Sequence, residues 1–115
     1  MNPAPAIRGW HSHVYYDAAS LPAAEALIAR ARVELPVEVG RMHHRPVGPH
    51  LRWSCQLAYP PERFAAVIGW LALNRGDLTV FTHPQTGQPL ADHRDRAIWM
   101  GELLPLELDA LPATE

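Results

Sequence analysis

The order of helix-like and strand-like segments restricts the fold of this chain more than any other feature. Two segments carry apolar side chains at helical spacing (i, i+3, i+4, i+7), and they begin near Ser20 and Pro60. They end at Pro36 and Gly76, because the residue before a proline avoids the helical region and glycine favours a helix end. The stretches around them are rich in β-branched and aromatic residues and alternate in polarity, as strands do. The predicted strands are 10–17, 37–42, 52–59 and 78–83.

The resulting order, β-α-β-β-α-β, is that of the ferredoxin-like fold. Right-handed crossovers place both helices on one face of a four-stranded antiparallel sheet. We therefore predict an α+β protein, with residues 1–115 forming a single domain. Residues 97–100 are able to add a short extra strand, and residues 103–115 form a tail packed on the surface.

Alternation along each strand assigns side chains to two faces of this sheet. The face beneath the helices receives apolar residues: Val14, Tyr16, Cys55, Leu57, Leu78 and Val80. The opposite face receives a mixture of histidines, an amide and an aromatic ring: His11, His13, Gln56, Phe81 and His83. That mixture is too polar for a core and too specific for an ordinary solvated face. We therefore expect the functional site on the face without helices.

Composition excludes several classes of function. The net charge of -2 gives no basic surface for nucleic acid. No apolar run approaches the ~20 residues that span a bilayer, and residues 1–7 do not have the pattern of a signal peptide. The single cysteine, Cys55, rules out an internal disulfide and favours a reducing compartment, so we expect a cytoplasmic protein.

Histidine is unusually frequent, with seven residues in 115, and three of them lie between positions 41 and 50. Neutral histidine is the commonest metal ligand and the usual acid or base near pH 7. His43 and His44 are adjacent, so at most one of them can reach the site, and we interpret both as polar loop residues. Pro46 and Pro49 stiffen the loop that orients His50.

The chain resembles the DOPA 4,5-dioxygenase family from about Trp10 to Glu102. The motifs that carry the resemblance are His-Ser-His-Val-Tyr-Tyr at 11–16, Pro-Val-Gly-Pro-His at 46–50, Leu-Asn-Arg-Gly at 73–76, His-Pro-Gln-Thr-Gly at 83–87, Asp-His at 92–93 and Ala-Ile-Trp-Met-Gly-Glu at 97–102. The resemblance implies a ring-cleaving dioxygenase that acts on a catechol such as DOPA, with O2 and a mononuclear iron. Fe(II) is then the expected metal, and zinc is able to replace it.

Within these motifs, we predict that His13, His50 and His83 bind the metal. His11 and His93 are predicted to be catalytic, as acids or bases, and each is also an alternative ligand. A carboxylate could complete the site, with Asp17, Glu38 and Asp92 as candidates, but an all-histidine site is equally consistent with the sequence. The predicted substrate-binding residues are Tyr15, Arg52, Gln56 and Phe81.

Other functions remain open at this level. One is a zinc-binding enzyme without redox chemistry, and another is a non-catalytic, dimeric module that binds a small ligand. A cofactor-free monooxygenase shares the fold but does not need this many histidines. Because one sheet face lacks helices in the predicted fold, we also predict a homodimer that covers apolar surface there or in the tail after Asp92.

Overall fold

A five-stranded antiparallel sheet organises residues 3–115, the part of the chain that the computed structural model describes. The strands are β1 (Gly9–Tyr16), β2 (Glu38–Val39), β3 (Trp53–Tyr59), β4 (Thr79–Gln85) and β5 (Ile98–Met100), in the order β2-β3-β1-β4-β5. The helices are α1 (Leu21–Glu34), α2 (Phe64–Asn74) and α3 (Pro89–Arg94), with 3-10 turns at Pro61–Arg63 and Leu108–Ala110. β1 is therefore central, between β3 and β4, and it contributes to both faces of the sheet.

Within residues 3–115, the structure has five strands and three helices, against the four strands and two helices predicted; the fifth strand lies within residues 97–100, where the sequence allowed an extra strand, whereas the third helix was not predicted. β5 pairs with β4 over three residue pairs and extends the sheet at that edge. α3 has only six residues, so it is too short to show a helical repeat in the sequence. β2 is shorter than predicted because only Glu38 and Val39 pair with β3.

Both predicted amphipathic helices pack on the expected face of the sheet. The apolar residues that recur at i, i+3, i+4 and i+7 in α1 are the four that are buried: Ala24, Leu27, Ile28 and Ala31. In α2, Val67 and Leu71 are buried. All six predicted sheet residues lie in the same core as these helices. This core fixes which face of β1 and β4 points to the opposite side.

The opposite face is covered by the chain itself, contrary to the expectation that it lacks helical cover. Tyr15, Phe81 and Leu104 form a second buried cluster, against which Trp99 and Leu106 pack. α3 lies against β4, and the tail folds back over this side through backbone hydrogen bonds, including Leu90 N–H to Pro112 O at 3.0 Å. Sequence periodicity could not reveal this cover, because the tail has no repeating pattern. None of the helices within residues 3–115 is both long and apolar enough to cross a membrane.

Candidate metal centre

The pairing of β1 with β4 brings together two strands that carry histidines. His11 lies opposite His83, and His13 lies opposite Phe81, two pairs further along. Because all four side chains lie on the same face, His13 and His83 are diagonal neighbours, and their Nε2 atoms are 3.1 Å apart. The predicted proximity of His13 and His83 is therefore observed, although they lie seventy residues apart in sequence.

Three histidines have the geometry of a metal site. One ring nitrogen from each of His11, His13 and His83 lies within 4.8 Å of the other two. His13 and His83 are buried, whereas His11 is partly exposed and borders the solvent. The sequence ranked His11 behind His50 as a ligand, and the register of β1 against β4 is what places His11 directly beside His83.

His50 reaches the same cluster from a loop. Its ring centroid is 4.1 Å from that of His13, and its Nδ1 is hydrogen-bonded to the hydroxyl of Tyr15. Its backbone is held on both sides, by a turn back to Val47 and by a bridge to Leu106 in the tail. Gly48 permits the turn, because its φ of 54° is unfavourable for residues with a side chain. The loop therefore orients His50 as predicted, with help from a tail that the sequence did not implicate.

His93 approaches the cluster from α3. Its ring centroid is 3.8 Å from that of His83, and its Nδ1–H donates to the carbonyl of Pro89 at 2.7 Å. Five of the seven histidines thus lie together. His43 and His44 are the other two, and His44 packs on Trp53 instead.

Burial keeps the clustered imidazoles neutral near pH 7. It lowers the pKa of His50 to about 4, with further lowering by His93, His43 and His11. Burial likewise lowers the pKa of His83 to about 3, and it lowers that of His13 well below the usual range. The pKa values of His11 and His93 are lowered too, mainly by burial. Neutral imidazoles retain a lone pair, so the cluster is ready to bind a cation without first losing protons.

None of the three candidate carboxylates, all within residues 3–115, belongs to the histidine cluster: two accept hydrogen bonds from other residues, and the third is exposed on β2. Asp92 is buried and accepts hydrogen bonds from Thr86, both from its backbone N–H and from its hydroxyl, and from Arg96. Asp17 accepts from Ser20 at the start of α1, and Glu38 is exposed on β2. In residues 3–115, the group with metal-binding geometry contains histidines alone.

Asp92 is instead predicted to support α3 and therefore His93. Replacing Asp92 with alanine leaves a buried N–H of Thr86 without its acceptor and is expected to lower the free energy of unfolding by about 2–3 kcal/mol. Urea denaturation of the variant measures this loss. Asp95→Ala is the matched control, since Asp95 pairs with Arg94 on the surface and exposed ion pairs contribute little. Equal stability of the two variants would contradict this role.

The predicted substrate-binding residues do not all reach the cluster. Phe81 is fully buried beneath it, with its ring centroid 5.8 Å from that of His13, and Gln56 lies opposite His13 on β3. Tyr15 contacts His50. Arg52 is exposed and lines a cavity of about 570 Å³, which runs along α1 to the end of α2, is bordered by Tyr15 and has no histidine in its lining.

Comparisons with known proteins identify two curated relatives of this chain. The chain is 37% identical to a DOPA 4,5-dioxygenase from Amanita muscaria, over 92% of this chain and 50% of that protein. It is 43% identical to an uncharacterised 21.2 kDa protein from Botryotinia fuckeliana, over 74% of this chain and 51% of that protein. The chain spans about half the length of these curated relatives.

A solved structure shares the whole fold. The crystal structure of a protein from Nostoc punctiforme, provisionally described as a dioxygenase, superposes with a TM-score of 0.89 at 38% identity and covers 90% of each chain. The sequence profile of the Dopa 4,5-dioxygenase family matches residues 10–110, which include every histidine of the cluster. The chain therefore belongs to the Dopa 4,5-dioxygenase family.

Proposed function

We propose that the protein is a metal-dependent dioxygenase that opens a catechol ring beside its hydroxyls, the extradiol type of cleavage, with O2 as co-substrate. The observation that carries the proposal is the convergence of His11, His13 and His83, whose donor atoms lie within 4.8 Å of one another. Membership of the family and the dioxygenase names of its relatives support the reaction class. DOPA or a similar catechol is the proposed substrate.

The donor set fits a divalent transition metal. Three neutral imidazoles suit iron(II), zinc or copper and leave other positions for exogenous ligands. We propose that His11, His13 and His83 hold Fe(II), and that zinc is able to occupy the same site. When bound, the metal supplies a Lewis acid that favours the ionised catechol and, as iron, a centre for O2 chemistry.

The surrounding residues have separate parts in this proposal. Nδ1–H of His83 donates to the carbonyl of Pro84, which leaves its Nε2 lone pair for the metal. His93 offers the same lone pair at the edge of the cluster, where it can accept a proton from a substrate hydroxyl. Phe81 and Trp99 pack together with centroids 4.5 Å apart and exclude water from one side. Gln56 lies beside His13 and can hydrogen-bond a polar group of the substrate.

Metal analysis combined with O2 uptake tests the function. The protein is purified anaerobically, its metal content is measured, and O2 consumption is followed with DOPA and with simple catechols. We expect about one Fe(II) per chain, O2 uptake only with catechols, and a product with the absorbance of an opened ring. Tight zinc binding without O2 uptake would instead support a non-oxidative zinc enzyme. A protein that binds no metal would support the ligand-binding module.

A homodimer remains a prediction, now with a different physical reason. Because the histidine face is covered by the tail, the most exposed large apolar side chains lie elsewhere: Leu73 on α2 is 87% exposed, Val33 on α1 is 86% exposed and Leu103 in the tail is 80% exposed. Light scattering at high micromolar concentration should give twice the chain mass of 12.8 kDa. Leu103→Asp should weaken the dimer if the tail forms the interface, and Leu73→Asp if α2 does. A 12.8 kDa particle at that concentration would refute the dimer.

The proposed cytoplasmic location depends on Cys55. Among residues 3–115 it is the free cysteine, and its side chain is buried. A reduced, unpaired cysteine is compatible with a reducing compartment. Fractionation of the source cells would test the location.

A further inference from the structure

The hydrogen bond with Tyr15 makes His50 chemically different from the other buried histidines. Both residues are buried, and the Tyr15 hydroxyl is hydrogen-bonded to Nδ1 of His50. The tyrosine ring is held in place by stacking, with centroids 6.3 Å from Phe81 and 6.1 Å from Trp99. The backbone of His50 is fixed through Val47 and Leu106. The ring of Tyr15 and the backbone of His50 are thus both held in place.

The direction of this hydrogen bond follows from the available donors. A tyrosine hydroxyl has one proton to donate, and among the described residues its partner is Nδ1 of His50. If the hydroxyl accepted instead, its own O–H would be buried without an acceptor, at a cost of about 1–3 kcal/mol. The phenol therefore donates, and Nδ1 of His50 accepts. A neutral imidazole carries one proton, so the proton of His50 is on Nε2.

His83 and His93 have the opposite arrangement. Nδ1–H of His83 donates to Pro84 O at 2.9 Å, and Nδ1–H of His93 donates to Pro89 O at 2.7 Å. In both residues, Nε2 keeps its lone pair, and in His83 this lone pair accepts a hydrogen bond from Nε2–H of His13 at 3.1 Å. In His50, one nitrogen is occupied by Tyr15 and the other carries a proton, so neither is available to a metal. His50 also lies outside the group of three histidines with metal-binding geometry.

We propose that Tyr15 is a positioning residue that holds His50 with its proton on Nε2 and so makes His50 a hydrogen-bond donor to substrate or O2 instead of a metal ligand. The identity of the group that receives this hydrogen bond rests on the proposed function, whereas the position of the proton does not. The rings of His50 and His13 have centroids 4.1 Å apart, so the His50 ring borders the proposed metal site. This replaces our sequence-based assignment of His50 as a ligand.

NMR of protein labelled with 15N in the histidine rings tests the proton position directly. Spectra are recorded on metal-free and zinc-loaded protein, since zinc is diamagnetic. We expect His50 to show the Nε2–H form in both states and His83 to show the Nδ1–H form without metal. In Tyr15→Phe, which keeps the ring and removes only the hydroxyl, the Nε2–H signal of His50 should be lost or averaged between forms. An Nδ1–H form of His50 in the wild type, or its coordination to zinc, would overturn the proposal.

Tyr16→Phe is the matched control, because Tyr16 is a buried tyrosine whose hydroxyl donates to the carbonyls of His43 and Ser54 instead. It should leave the His50 signals unchanged. A change as large as that in Tyr15→Phe would overturn the proposal by showing a general effect of removing a buried hydroxyl.

Kinetics and a conservative replacement separate this inference from the proposed function. With a catechol, Tyr15→Phe should lower kcat by about 100-fold, with metal content and KM unchanged, as for loss of an oriented proton donor. His50→Gln restores an N–H donor and should keep its metal and part of its activity, whereas loss of metal from this variant would refute the donor role. If the wild type consumes no O2 but shows the Nε2–H form, the proposed function fails and the position of the proton stands.

Discussion

Replacing His13 with alanine is expected to lower metal affinity more than about 100-fold and to abolish catechol-dependent O2 uptake. Loss of a residue that only supports a ligand already costs about 10–100-fold, so loss of a ligand costs more. His13 and His83 are the most central members of the cluster, since each ring lies beside three other histidine rings. Calorimetric titration with Fe(II) or Zn(II) measures the affinity.

Three further alanine variants sharpen this test. His83→Ala should behave like His13→Ala, and His44→Ala is the control, because His44 packs on Trp53 outside the cluster. His11→Ala distinguishes the proposed ligand set from the one predicted from sequence. The variant loses metal if His11 is the third ligand beside His13 and His83, and it keeps metal if His50 is the third ligand. Full metal content and activity in both His13→Ala and His83→Ala would refute the site.

The metal-free protein is expected to lose stability steeply between about pH 6.5 and pH 4. The pKa of His50 is lowered from 6.5 to about 4, and that of His83 from 6.5 to about 3, mainly by burial. In this window the unfolded chain binds more protons than the folded one, so acid favours unfolding. One pKa unit corresponds to ~1.4 kcal/mol, so each histidine contributes roughly 3 kcal/mol of loss by pH 4. Their sum is comparable to the total stability of a small domain, about 5–15 kcal/mol.

Urea denaturation at several pH values, with a chelator present, measures this dependence. The slope of the free energy of unfolding against pH should fall in His83→Gln, which lacks one titrating group, and should be unchanged in His44→Gln. Bound metal should shift the loss to lower pH, because protons and metal compete for the same lone pairs. A free energy of unfolding that stays constant from pH 7 to pH 4 would disprove the prediction.

Much of the architecture could be predicted from local patterns. The four inward residues of α1 and the six core residues of the sheet follow from helical and strand periodicity, and all are buried where expected. The same alternation placed His11, His13 and His83 on one face. The extra strand at residues 97–100 was allowed by the sequence, but α3 was too short for periodicity to reveal it and the tail has no repeat, so the cover over the histidine face was missed.

The sequence by itself determined which residues share a face, because side chains in a strand alternate by covalent geometry alone. It also determined which short, proline-stiffened loop carries His50. Only the tertiary structure decided the register that sets His11 opposite His83 and the bond between Tyr15 and His50, which are thirty-five residues apart. Strand register and long-range hydrogen bonds depend on how the cores pack and how the tail folds back. No repeat in the sequence encodes which distant residues are brought together. The proposed difference between a histidine that binds a metal and one that donates a hydrogen bond therefore rests on features of the folded protein alone.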